Sequence, residues 1–360
     1  MNDQFIPGLG LNEGFFFDVV KPILDQHYPG LAYSASLIGS GSDVLGLDTA
    51  MSMDHDWGPR LQLFLPERDF ANIAPELNVT LRKQVPVSYK GFPTNFTDKR
   101  EDLTQAMLPI TIGPVNHRLE ITTVAGIVKH MIGFDLAQEL ALTDWLTFPE
   151  QRLIELTRGK VYYDGLGELT RIRDIFSFYP DDIWLGKMAV LWYAIGEEEA
   201  FIGRNHDLGN EIGEQILTAR IVSCLMKLCF YLEKQYVPYS KWIETCFRQL
   251  NCGLTLNPLF SAILNTRKLR EKEANFAEVY HIIGDMHNIL GITEHIDFSM
   301  TNFYSRPYQV LFAGRIADAL KAAIKEPSIK HLNLVVTGVE QLTDGIDITA
   351  QKKWLRRILG

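Results

Sequence analysis

The chain has 360 residues, 46% apolar and 22% charged, with a formal net charge of −9. That length exceeds what one core usually serves, so two domains are expected, and the acidic balance argues against a nonspecific DNA binder, which would carry a basic footprint. No run of 18 apolar residues predicts a membrane span, Met1 to Pro7 lack a signal peptide's basic start, and four cysteines make no disulfide scaffold, so a reduced, cytoplasmic setting is expected.

Phe15, Phe16, Val19, Val20, Ile23 and Leu24 recur at helical spacing and predict a helix over residues 11–27. Pro22 should kink or restart it, and Pro29-Gly30 should end it. Tyr33 to Ile38 reads as a strand that stops at the turn Gly39-Ser40-Gly41-Ser42-Asp43. Thirteen residues separate Ser40 from Asp54-His55-Asp56, and a second apolar run, Leu61 to Leu65, follows. In extended backbone, residues i and i+2 share a face, so Asp54 and Asp56 are expected to converge. Two carboxylates that close repel unless a cation lies between them, and Mg²⁺ suits such a place beside substrate phosphates. The Gly-Ser turn, with unhindered N–H groups at Gly39 and hydroxyls at Ser40 and Ser42, suits phosphate oxygens. Arg60 leaves the bend Trp57-Gly58-Pro59 near the acidic pair, either to balance the aspartates or to hold a triphosphate.

Residues 67–83 read as a helix and 84–110 as an irregular loop with three prolines. His117 to Val124 alternates like a strand and carries one acid, Glu120, on the face opposite Leu119 and Ile121. Left to itself, Glu120 is an ordinary solvent-facing strand residue paired with Arg118 or a lysine. From about residue 134 the period changes from two to 3.6. Leu136, Leu140, Leu142, Trp145 and Leu146 suggest one helix, Gln151 to Leu156 another, and Val161 to Gly165 a hairpin or turn. Further helices are expected at Ile183–Ile195, 241–250, 271–290 and 308–324. A long one over 208–234 should turn Ile212, Ile216, Ala219, Val222, Met226 and Cys229 inward. The tail has a strand-like run at 332–336 and a short closing helix. The period change sets the expected boundary, giving domains 1–132 and 133–360.

His281, His287 and His295 do not share one helical face, the cysteines lack Cys-x-x-Cys spacing, and neither a Walker loop nor a Gly-x-Ser-x-Gly elbow occurs. Arg204, Asp207 and Lys241 lie near turns of the helical half, where surface salt bridges or helix-end charges would suit them.

The run Ile38 to Gly46 with Ser52-Met53-Asp54-His55-Asp56-Trp57-Gly58-Pro59-Arg60 resembles the signature of the nucleotidyltransferase superfamily, which includes the DNA polymerase beta-like enzymes and the aminoglycoside nucleotidyltransferases. More closely, and on through Val237 to Trp242 and Ser305 to Val310, the chain resembles an uncharacterised bacterial nucleotidyltransferase-like domain family. The resemblance implies an α+β protein: an N-terminal mixed sheet with helices, then a mainly helical bundle closing over the nucleotide. It implies Glu120 as third carboxylate beside Asp54 and Asp56, with one or two Mg²⁺ ions between them. Gly39, Ser40, Ser42, Arg60, Arg204 and Lys241 would then meet the nucleotide. The reaction implied moves AMP from ATP, or another nucleoside monophosphate, to a hydroxyl of a small molecule, protein or RNA end, releasing pyrophosphate. The alternative is a nucleotide-sensing or interaction protein on a degenerate version of this fold.

Overall fold

The computed structural model describes residues 5–101 and 104–332. The fold is mixed α+β, a small mixed sheet with helices in the N-terminal part and a helical C-terminal part. The chain divides into two compact units, Met1–Glu139 with Arg152–Ser177, and Leu140–Gln151 with Phe178–Gly360.

In the first unit, α1 (Gly8–Phe15) runs through a π-helical turn at Phe16–Val20 into α2 (Lys21–His27), with Pro22 in the first turn of α2. Proline there leaves no needed N–H unmade, so the predicted restart is met without a break. Next come β1 (Ser34–Leu37), a 3₁₀ turn at Ala50–Asp54, β2 (Arg60–Phe64) and α3 (Glu67–Gln84). The segment expected to be irregular carries a small ladder, β3 (Ser88–Tyr89) with β4 (Phe92–Pro93), and a bridge between Phe96 and Met107. Then follow β5 (Arg118–Thr122), α4 (Val124–Ile132), α5 (Glu150–Thr157), β6 (Lys160–Asp164) and α6 (Glu168–Ile175).

The sheet order is β5-β2-β1-β6, with β2 parallel to β5 and β1 antiparallel to both β2 and β6. Residues 161–165, expected as a hairpin or turn, thus largely fall in β6, the fourth strand of the N-terminal sheet. The expected boundary at 132 meets a chain that returns to the first unit over 152–177. A second difference lies at 124–146. The expected helix through Leu136 and Leu140 is absent there, and the helix sits earlier, at Val124–Ile132. Thr123 caps it by accepting the Gly126 N–H at 2.9 Å, and Gly133 ends it in the left-handed region.

Strand alternation divides the sheet into two faces. Ala35, Leu37, Leu61, Leu63 and Leu119 pack with Leu11, Phe15, Phe16, Val20, Leu77 and Leu81 in one core. The opposite face carries Ser34, Ser36, Arg60, Gln62, Arg118 and Glu120, and four of these are buried all the same: Ser34, Ser36, Arg60 and Gln62.

The second unit is built on α7 (Asp181–Asp207), α8 (Glu211–Leu232), α9 (Ile243–Phe247), α10 (Gly253–Asn265) and α11 (Leu269–Ile289). A two-stranded ladder, β7 (Thr301–Asn302) with β8 (Gln309–Val310), precedes α12 (Gly314–Ala323) and α13 (Pro327–Lys330). The inward face of α8 differs from the expected one. Val222 and Cys229 are buried, whereas Ile212, Ile216 and Ala219 are exposed and Glu214 and Thr218 take the inner positions. Lys272, wholly buried on α11, explains the offset, because its ammonium lies 2.5 Å from Glu214 Oε1 and donates to Thr218 Oγ1 at 3.2 Å. By length and composition α8 would suit a membrane span, yet half of that window is buried within the unit. The predicted tail elements lie outside the described residues.

Candidate functional site

The Gly-Ser turn is held from beneath. At the end of β1 the Gln62 side chain continues the β1–β2 ladder, accepting the Ile38 N–H and donating to the Ile38 carbonyl, both at 3.1 Å. One residue on, Gly39 donates to the Glu155 carbonyl on α5 at 2.8 Å. The chain then turns through Gly41 at φ +141°, where a Cβ would fall onto Asp43 Oδ1 and Arg60 Nη2. Glycine is required there by both dihedral and space.

Beneath that turn lies a buried ion pair that the spacing argument did not foresee. Arg60 Nη2 donates to Asp43 Oδ1 at 2.7 Å and Nε to Oδ2 at 3.2 Å, a two-pronged contact. Nη2 also reaches the Ser40 carbonyl at 3.0 Å. Both residues are almost wholly buried. Burial disfavours the Arg60 charge, but the Asp43 carboxylate outweighs it and holds the guanidinium above its ordinary pKa. The backbone beside it is fixed too: the Arg60 N–H donates to Asn12 Oδ1 at 2.6 Å, while Asn12 Nδ2 donates to the Gly8 carbonyl. Asp48 Oδ2 accepts from Gly8 N–H at 2.7 Å and Trp57 Nε1 at 2.9 Å, tying both sides of the loop to the start of α1.

The two aspartates are not in extended strand, as the i, i+2 argument required. Asp54 ends the 3₁₀ turn, and Asp56 is left-handed at φ +49°, a conformation aspartate tolerates better than most residues. Asp54 is exposed and pairs with its neighbour, His55 Nδ1 lying 2.9 Å from Oδ2. Slight burial works to raise its pKa, but the His55 hydrogen bond and charge prevail and leave the carboxyl below its usual range. Asp56 faces elsewhere. Its Oδ1 accepts from Arg118 Nη1 at 2.5 Å and from the Gln105 N–H at 3.2 Å, and its own N–H donates to the Gln105 carbonyl. The 84–110 segment thus closes against Asp56.

Arg118 is register partner to Arg60, and Glu120 to Gln62. Glu120 is exposed on the predicted strand and face, and Arg118, its expected partner, is turned to Asp56 instead. Ser40 is exposed and Ser42 half-buried, the Ser42 carbonyl accepting the Leu47 N–H. Arg204 and Lys241 belong to the second unit, where they lie over the rings of Phe201 and Trp242 at 5.8 and 4.8 Å. Asp207 accepts from the Tyr308 hydroxyl in that unit.

The donor chemistry of Asp54, Asp56 and Glu120, all carboxylate oxygens, suits a hard divalent cation. Among the described residues no group of three or more His, Cys, Asp or Glu side chains is drawn together, so the three carboxylates stand apart. Asn12, Asp48 and Arg118 are the residues of this region whose part sequence reasoning missed, while Asp43, expected to cap the segment after it, accepts the Val44 N–H as well as holding Arg60. Arg118 could have been found by parity, since it lies two positions before Glu120 on one strand.

Residues 145–243 match a family described as Domain of unknown function (DUF4037). The match bears out a likeness to an uncharacterised domain family, and it does not extend to the Gly39–Arg60 stretch. No curated protein and no solved structure matches the chain.

Proposed function

We propose that the first unit is a metal-dependent nucleotidyltransferase, moving a nucleoside monophosphate, AMP from ATP in the simplest case, to an acceptor hydroxyl with loss of pyrophosphate. One observation carries the reading: a glycine-serine turn at the end of β1 is locked by Asp43 and Arg60, Asp54 and Asp56 lie on the approach to β2 with Asp56 near enough to Arg60 to act on its charge, and Glu120 is exposed on the neighbouring parallel strand. Phosphoryl chemistry of this kind needs positioning and charge neutralisation rather than a covalent nucleophile. Asp54, Asp56 and Glu120 would hold Mg²⁺, which would neutralise charge developing at the phosphate. Ser40 and the turn beyond Gly39, whose own N–H is taken by the Glu155 carbonyl, would receive phosphate oxygens. The acceptor is a small molecule, a protein side chain or an RNA end.

Incubation with ATP labelled at the α-phosphate, Mg²⁺ and a panel of hydroxyl acceptors tests this. The expected result is label transfer with stoichiometric pyrophosphate, lost in Asp54→Asn and Asp56→Asn. Absence of turnover with every nucleotide and acceptor would count against the enzyme.

A second reading has its own support. Asp54 is paired with His55 and Asp56 with Arg118, so each carboxylate already has a side-chain partner. A nucleotide-sensing protein on a degenerate version of the fold fits that pairing. Nucleotide affinity unchanged in Asp54→Asn/Asp56→Asn, without product from the wild type, would favour it.

A further inference from the structure

We infer that Arg118, rather than Arg60, is the arginine that takes the nucleotide's phosphates, and that it does so by exchange: a divalent cation takes its place on Asp56 as the phosphates take the place of Asp56 on Arg118. The inference rests on the nucleotidyltransferase reading and deepens it.

Arg60 cannot serve. Its guanidinium already makes three hydrogen bonds beneath the turn, and drawing it onto a phosphate would leave the Asp43 carboxylate buried without a partner. Arg118 is placed differently. Its side chain retains 21% exposure and that of Asp56 35%, so solvent and ligands reach the pair. Its guanidinium lies over the Phe96 ring at 5.7 Å, which orients it without using its donors. Partial burial and the nearby Arg60 charge both disfavour the Arg118 cation, Asp56 and Asp43 opposing them. A polyanion arriving here relieves that repulsion between guanidiniums.

Exchange has a thermodynamic consequence. A cation alone must break the Asp56–Arg118 pair, and so must an anion alone, while the two together break it once. Each ligand therefore raises the affinity of the other by the same factor.

Calorimetry of Mn²⁺ alone, ATP without divalent cation, and ATP with Mn²⁺ tests this on wild type, Arg118→Gln and Arg118→Lys, with thermal melting as the check on folding. In Arg118→Gln, Mn²⁺ alone should bind roughly 3–10-fold more tightly, as expected for release of a partly exposed pair. ATP should lose about 10–100-fold in affinity, as for a charge-assisted contact, and the mutual enhancement should shrink to what direct contact of Mn²⁺ with the phosphates supplies. Arg118→Lys, which keeps the charge, should retain part of both. Unchanged Mn²⁺ affinity in Arg118→Gln, with wild type still binding ATP and Mn²⁺ together, overturns the exchange and leaves the transferase reading standing. Wild type that binds no nucleotide with any metal overturns both.

Discussion

The ion pairs of the two units differ in what surrounds them. In the second unit Lys272 meets Glu214 with neither side chain more than 6% exposed, and Lys187 meets Glu150 at 2.9 Å with exposures of 5% and 2%. Their remaining polar atoms are answered as well: His206 Nδ1 lies 3.0 Å from Glu214, while Glu150 accepts from the Tyr231 hydroxyl and the Val237 N–H. In the first unit Asp43 and Arg60 belong with these, enclosed and multiply bonded. Asp56, close before Arg60 in sequence, and Arg118, the register partner of Arg60 on β5, form one partly exposed contact. Enclosed charges with every donor answered are fixed architecture, because opening them strands a charge in low dielectric. A pair open to water costs little to separate and is free to be exchanged.

Truncating one partner breaks that comparison most sharply in the helical unit. Lys272→Met should destabilise the protein by about 3–5 kcal/mol in denaturant titration, because Glu214 stays buried with only half-exposed His206 beside it. Adding Glu214→Leu should recover most of the loss. Arg60→Met should cost about 3 kcal/mol by the same mechanism and loosen the Gly-Ser turn as well. Arg118→Gln should change stability by less than about 1 kcal/mol, for its pair is open to solvent. An equal loss in Arg60→Met and Arg118→Gln would erase the distinction between structural and exchangeable pairs.

A pH series sharpens it further. Glu199 on α7 is pushed up to about 7 by burial, against the pull of the Ala313, Leu311 and Phe312 backbone donors and the Arg315 charge. Between the usual glutamate value and about pH 7 the folded state holds the proton that the unfolded state has released. Stability contributed by Glu199 is therefore present at acid pH and lost as pH rises through that window. His117 works in the opposite direction. Burial holds it down to about 4, so stability falls as pH drops from its unfolded value toward 4. Because the two slopes oppose, melting temperature should be compared between wild type and Glu199→Gln. The difference between the two curves should grow in favour of the variant from pH 5 to 7.

Much of the sheet was legible in advance. The apolar runs at 33–38 and 61–65 and the alternating run at 117–124 each hold a strand, the last ending at Thr122 because Val124 opens α4, and Glu120 stands on the predicted face. What escaped was non-local. Lys160 to Asp164 is a strand only because β1, far away in sequence, offers it an edge. On α8 the apolar residues Ile212 and Ile216 suggested the inner face, whereas the buried ion pair gave that face to Glu214. In the site, spacing brought attention to Asp54 and Asp56 but presumed extended backbone. Asp56 is left-handed instead, and so is Gly58 after it, where Met107 and Phe96 leave no room for a Cβ.

The most direct test of the central claim is calorimetric titration of ATP, with and without Mg²⁺, into wild type and Asp54→Asn/Asp56→Asn. The account predicts binding that Mg²⁺ strengthens and that the double substitution abolishes. Wild type that binds no ATP in either condition, or a double variant that binds as tightly as wild type with Mg²⁺, would contradict it.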